Sequence, residues 1–142
     1  MKIRKAKKGD FKAIAKILKE ESAKKPYNEK YTIQKSLEEI KEFSEDELFV
    51  YEIDKEIIGF IASYVTKDEK TKAYIRELWL KPNFQGKGFG KLFVKFIEAK
   101  YKKKGIKKIR LVSHKKSKAF GFYKKLNYKD TTNLVFLEKK LK

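Results

Sequence analysis

Cysteine is missing from the 142 residues, and histidine occurs once, as His114. The first absence excludes a disulfide framework and a thiolate nucleophile, and the second makes a histidine-based metal site or triad hard to assemble. Chemistry then falls to carboxylate, tyrosine, lysine or backbone, and no metal is expected. No apolar run approaches the ~18 residues of a membrane span, and the opening MKIRKAKKGDF lacks the apolar core of a signal peptide. These features predict a cytoplasmic chain with no membrane partner. Repeats, linkers and low-complexity tracts are also absent, apart from the basic stretch from Lys100 to Lys118. A chain of this length predicts one domain over residues 1–142, burying about two thirds of the surface its unfolded form exposes.

Negative charge is scarce. Lys and Arg number 38 against 19 Asp and Glu, a formal net charge of +19. Such an excess attracts polyanions, nucleic acid and acidic proteins among them. The lysines are spread over every segment, however, and enrichment in Lys, Glu and Ile without cysteine also characterises hyperthermophile proteins. That compositional explanation is preferred to a dedicated nucleic-acid face.

The apolar pattern alternates between helical and strand periods. Met1 to Ala6 is read as an edge strand, followed by a Gly9-Asp10 turn. Phe11 to about Glu21 has one apolar helical face through Ile14, Ala15, Ile17 and Leu18. Ser22 to Tyr31 is a loop, and Thr32 can cap a second helix striped by Ile33, Leu37 and Ile40. Leu48 to Ile53 and Ile57 to Val65, joined through Asp54-Lys55-Glu56, predict an antiparallel hairpin. Tyr74 to Leu80 is the next strand, Ile106 to Val112 a parallel partner reached by crossover, Lys116 to Leu126 a short helix, and Asn133 to Leu141 a final strand.

The strongest functional signal lies between Tyr74 and Lys104. Lys81-Pro82-Asn83 ends the strand, Gly86, Gly88 and Gly90 alternate with Lys87 and Phe89, and Leu92, Phe93, Phe96, Ile97 and Ala99 then recur at helical spacing. A glycine-rich turn that opens a helix lets an anion approach main-chain N–H groups near a partial positive charge, which makes a phosphate cradle. The P-loop is excluded because no Lys-Ser or Lys-Thr pair follows the last glycine. The dinucleotide fingerprint is excluded because its third glycine is misplaced and no acidic residue stands between Lys107 and Val112.

What remains is Gln/Arg-x-x-Gly-x-Gly/Ala, met by Gln85, Gly88 and Gly90, with Ala119-Phe120-Gly121-Phe122-Tyr123-Lys124-Lys125-Leu126-Asn127-Tyr128 downstream. With these two motifs in order, the chain resembles the GNAT superfamily of acyl-CoA-dependent N-acetyltransferases, from roughly Leu48 to Leu137. The resemblance implies a mixed α/β fold: a mostly antiparallel sheet of six or seven strands, helices on both faces, and a splayed parallel pair at the centre. It implies acetyl-CoA as cosubstrate. Its diphosphate would lie on Gln85, Gly86, Lys87, Gly88, Phe89, Gly90 and Lys91, and its pantetheine arm along the backbone of Leu78, Trp79 and Leu80. Lys116, standing where the family often has asparagine, could meet a CoA phosphate, and Asn127 replaces a glycine whose left-handed backbone asparagine tolerates.

Acyl transfer from a thioester to an amine needs a base for the amine, donors for an oxyanion and a proton for the departing thiolate. The resemblance gives the last role to Tyr123, whose phenol is protonated at neutral pH; a core aromatic beside Phe120 and Phe122 is the competing reading and the weaker one. Glu77 is the candidate base. Strand alternation puts it on a face with Ile75 and Trp79, where burial would raise its pKa, while an ion pair with Arg76, Lys72 or a neighbouring lysine is equally open. His114 is read as a solvated loop histidine. The resulting expectation is an N-acetyltransferase acting on a primary amine: a polyamine, a small amine or a peptide amine. The acceptor should sit between loops Ser22 to Tyr31 and Asp130 to Asn133, near Glu20, Glu21, Glu29 and Asp130. The alternative is a non-catalytic binding module whose basic surface docks on nucleic acid. The oligomeric state is left open, a homodimer among the options.

Overall fold

The computed structural model describes residues 2–131 and 133–141. In these, a mixed sheet runs in the order β1-β2-β3-β4-β5, formed by β1 (Lys2–Lys5), β2 (Glu47–Ile53), β3 (Glu56–Val65), β4 (Lys72–Leu80) and β5 (Lys108–Arg110). Neighbours are antiparallel except β4 and β5, which are parallel. Helices α1 (Phe11–Ser22) and α2 (Ile33–Phe43) cover one face, and α3 (Phe89–Lys103) and α4 (Lys118–Lys125) cover the other.

Local chemistry accounts for most boundaries. The β2–β3 hairpin closes through Asp54 and Lys55 at φ 49° and 67°, the pair of positive values that a two-residue turn matched to strand twist requires. Thr32 caps α2, its hydroxyl accepting from Lys35 N–H at 3.0 Å, and Ser117 does the same for α4 through Phe120 N–H at 3.2 Å. Gly105, at φ 81°, ends the turn after α3. Ile14, Leu18, Ile40, Val50 and Phe60 fill the α1/α2 side, and Ile58, Ile61, Phe93, Val94 and Ile97 fill the α3/α4 side, all at most 1% exposed. Methyl-dense layers of this kind contribute about 25 cal/mol per Å² of apolar surface removed from water.

Two expectations are corrected. Among the described residues the sheet has five strands rather than six or seven. Asn133 to Leu141 forms no strand, and its apolar side chains Leu134, Val135, Phe136 and Leu137 are all exposed, so neither strand face is buried against a core. The parallel partner is also shorter than Ile106 to Val112. It pairs with β4 only over Lys72–Tyr74, the three residues opposite Lys108–Arg110. Of the expected first strand, Met1 lies outside the described residues.

Just beyond that pairing β4 carries a bulge. Ala62 pairs with Glu77 and Ser63 with Ile75, so Arg76 is an extra residue in β4. One added residue reverses the phase of every side chain after it. Ile75 therefore packs in the α3/α4 core while Trp79 packs against the α1/α2 core, and the expected common face of Ile75, Glu77 and Trp79 does not exist. Arg76 lies over the Tyr64 ring at 4.5 Å, with its guanidinium 3.6 Å from Glu42 and from Asp46.

Candidate active site

The second half of β4 carries the site. Glu77, turned toward α1 by the bulge, accepts a 2.6 Å hydrogen bond from the Trp79 indole N–H. The two help line a cavity of about 220 Å³ with Leu18 and Ser22 from α1, Tyr27, Glu29 and Tyr31 from the following loop, and Val112 and His114 from beyond β5. Burial pushes the Glu77 carboxyl up to about 7, the charges of Glu39 and Glu29 push the same way, and the indole N–H opposes them. Neither Arg76 nor Lys72 pairs with it: Arg76 faces Glu42 and Asp46, and Lys72 is 3.0 Å from Glu69. The ion-pair reading of Glu77 thus has no support in the geometry.

Aromatic rings make up much of this cavity. Tyr27 meets Trp79 edge-on with centroids 5.0 Å apart and faces His114 at 6.5 Å. His114 is exposed, as expected of a loop histidine; its Nδ1 accepts from Lys116 N–H at 3.1 Å, which orients the imidazole on the turn before α4, where it also borders the cavity. Tyr27 and Tyr31 were not singled out in the sequence; the only available signal was two tyrosines in a short polar loop after an amphipathic helix. Of the acids expected nearby, Glu29 lines the cavity, Glu21 is bound to Lys24 and Gln85, and Asp130 pairs with Lys124 at 2.9 Å in a different groove. Part of the Asp130 to Asn133 loop, Thr132, lies outside the described residues.

Tyr123 lies on the opposite side of the sheet, in α4, and lines a large open groove of about 1340 Å³ beside β5. Burial raises its phenol pKa, with Tyr27 and Glu77 adding to the shift, so it remains a proton donor throughout the neutral range. Val112 borders both the groove and the Glu77 cavity. Between them, among the described residues, β4 has no ladder partner on its β5 side beyond Tyr74, so the edge is open at Leu78 and Trp79, while the Leu80 carbonyl accepts from Gln85 Nε2 at 2.8 Å.

The glycine loop precedes α3 as the sequence indicated. Gly86 and Gly88 take φ of 72° and 92°, and a Cβ at either would meet nothing within 4 Å, so the main chain is open to solvent. Gly88 caps α3, whose first N–H groups have no carbonyl within the helix. Gly90 is different: a Cβ there would lie 3.2 Å from the Phe122 ring, so the start of α3 is packed on α4. Lys87 and Lys91 are exposed beside the loop, and Phe89 stacks edge-on with Tyr51 and Phe84. Lys116 is exposed in the turn before α4. The Gln85 side chain turns back into the protein. Asn127 has the expected left-handed backbone, φ 70°. Among the described residues no cluster of His, Cys, Asp or Glu is placed to hold a metal, and no helix is long and apolar enough to cross a membrane.

Residues 12–128 match the acetyltransferase (GNAT) family. The chain is similar to the spermidine N(1)-acetyltransferase of Thermoplasma acidophilum, 36% identical over 130 residues that make up 87% of this chain and 79% of that one. It is similar in structure to PaiA N-acetyltransferase from Thermoplasma acidophilum in complex with coenzyme A, with TM-score 0.74 and 29% identity, covering 93% of this chain and 92% of that one. A possible acetyltransferase from Clostridium difficile 630 superimposes with TM-score 0.82 at 17% identity over 99% and 98% of the two chains.

Proposed function

The chain belongs to the GNAT acetyltransferase family, and on that premise we propose that it transfers acetyl from acetyl-CoA directly to a primary amine of a polyamine. The observation that carries this is the open β4 edge between two walls. One wall holds a carboxyl with a pKa near 7, and the other holds a protonated phenol.

The residues fit the cosubstrate. Open glycines at the mouth of α3, with Lys87 and Lys91 alongside, suit a diphosphate; the open edge at Leu78 and Trp79, next to the Leu80 carbonyl that Gln85 occupies, suits the amides of a pantetheine arm. When bound, acetyl-CoA supplies an activated acetyl group. Glu77 takes the proton from the attacking ammonium or amine, directly or through a water, and a carboxyl titrating near neutrality can both accept and release it. Backbone N–H on the free edge of β4 faces the developing oxyanion. Tyr123 gives its proton to the departing sulfur, and burial keeps that proton in place until it is needed.

The acceptor reading rests on the small cavity. Tyr27, Tyr31 and Trp79 offer ring faces, and Glu29 and Glu77 offer carboxylates, a combination that attracts an ammonium group. The similarity to a spermidine acetyltransferase points the same way. Thiol release from acetyl-CoA over a panel of spermidine, other polyamines, aminoglycosides, amino acids and peptides is the test. Turnover greatest with spermidine is expected. Preference for a neutral or peptide acceptor would overturn the polyamine assignment, and no thiol release with any amine would overturn the enzymatic one.

A further inference from the structure

Gln85 has its amide committed elsewhere. Its Nε2 donates to Glu21 Oε1 and to the Leu80 carbonyl, both at 2.8 Å. A carboxamide nitrogen has two hydrogens, so both are spent, and the remaining side-chain atom is a carbonyl oxygen that would repel a phosphate. The side chain is thus a tie within the protein, and its two partners define what is tied.

Leu80 ends the strand that carries Glu77 and Trp79, and Gln85 opens the glycine loop. Glu21 sits in the last turn of α1, 5% exposed, and its carboxylate has two partners, Gln85 and Lys24 Nζ at 2.8 Å. A buried carboxylate that loses a partner is costly, which makes this contact a strong constraint. The same turn holds the cavity loop: Lys24 N–H donates to the Glu21 carbonyl, Tyr27 N–H to the Lys24 carbonyl, and Glu29 N–H to the Ser22 carbonyl at 2.9 Å. One amide therefore links the anion loop, the strand end and the segment bearing Tyr27 and Glu29.

We propose that Gln85 is a positioning residue that couples the two substrate sites, so that filling the glycine loop orders the amine cavity through Glu21 and each ligand tightens the other. This rests on the function proposed above. Linkage requires the coupling to be reciprocal. Coupling is read by calorimetry as the ratio of spermidine dissociation constants without and with saturating CoA, and of CoA dissociation constants without and with spermidine.

Wild-type protein is expected to show a factor on the order of tenfold in both directions, the size of one hydrogen bond to a charged group. Gln85→Ala and Glu21→Ala should each reduce the factor to about one, the double variant should be no worse than either, and affinity for CoA alone should stay within about threefold. Gln85→Arg, whose fork can still reach a carboxylate and a carbonyl, should restore it. A coupling factor unchanged in Gln85→Ala, or absent from the wild type while both ligands bind, overturns the coupling alone. Failure of the wild type to bind CoA overturns the proposed function beneath it.

Discussion

The two halves of β4 differ by one inserted residue. Ala73 and Tyr74 have a strand partner on each side, and the small and apolar side chains Ala73 and Ile75 are buried in the α3/α4 core. From Glu77 to Leu80 it has a partner on one side only, and it carries a carboxyl, an indole and an open edge. The first half is built for cohesion. The second half leaves part of its edge without a ladder partner and holds its acid on an indole N–H rather than on a cation. Arg76 separates them, and its contacts with Tyr64, Phe43, Glu42 and Asp46 hold the extra residue in place.

Deleting Arg76 is the most severe way to break this contrast. The phase reversal disappears, Glu77 moves to the α3/α4 side, and acetyl transfer should fall by more than a thousandfold. Binding of CoA, followed by calorimetry, distinguishes that result from unfolding.

Tyr123→Phe removes the proton for the departing thiolate without touching β4, and on the order of a hundredfold should be lost from kcat while CoA affinity is retained. Unchanged turnover would take the phenol out of the mechanism.

Glu77→Gln should cost a similar or smaller factor at pH 8, and it carries a signed prediction about pH. The wild-type rate should rise through a limb near pH 7 as the carboxyl deprotonates, and the variant should lack that limb. Stability should move the other way. The folded-state pKa is raised above its ordinary 4.5, so the folded state holds the proton more tightly. The stability this gives is present below about pH 4.5 and lost as pH climbs through 7, amounting to roughly 3 kcal/mol. The glutamine variant should therefore be the more stable protein at pH 8 in urea titrations. Equal stability, or a limb that persists, would relocate the base.

Trp79→Phe deletes the N–H that holds the ionised carboxyl, so the limb should move to higher pH with only a few-fold loss of maximal rate. Smallest of all should be Tyr74→Ala in the paired half. It removes a stacked ring contact with Tyr64, costing about 1 kcal/mol by thermal or urea unfolding, and leaves KM for both substrates unchanged.

The sequence made the hairpin, the four helices and the glycine-to-helix junction legible, because each depends on neighbours: Asp54-Lys55 at a turn, Thr32 at a cap, Gly88 at a helix mouth. Glu77 was legible as an acid in an apolar strand, but its surroundings were assigned to the wrong face. A bulge is set by pairing across β3, and nothing between Tyr74 and Leu80 announces it. The same holds for Gln85, whose motif position suggests contact with a ligand while its partner, Glu21, is far away in the chain. Tyr27 and His114 become neighbours only when the loop after α1 meets the turn before α4. The final strand rests on the alternation of Leu134, Phe136 and Glu138, a local pattern that cannot say whether a neighbouring strand is there to pair with, and the apolar side chains of 134–137 stay exposed.

The close approach of Gly90 to Phe122 has a metric consequence. The mouth of α3 and the helix that bears Tyr123 meet through the edge of the Phe122 ring, and a Cβ at position 90 would push that ring by a few tenths of an ångström. On the proposed function a donor would span from the glycine loop to the phenol, so the missing Cβ of Gly90 sets a length for it as well as a helix contact.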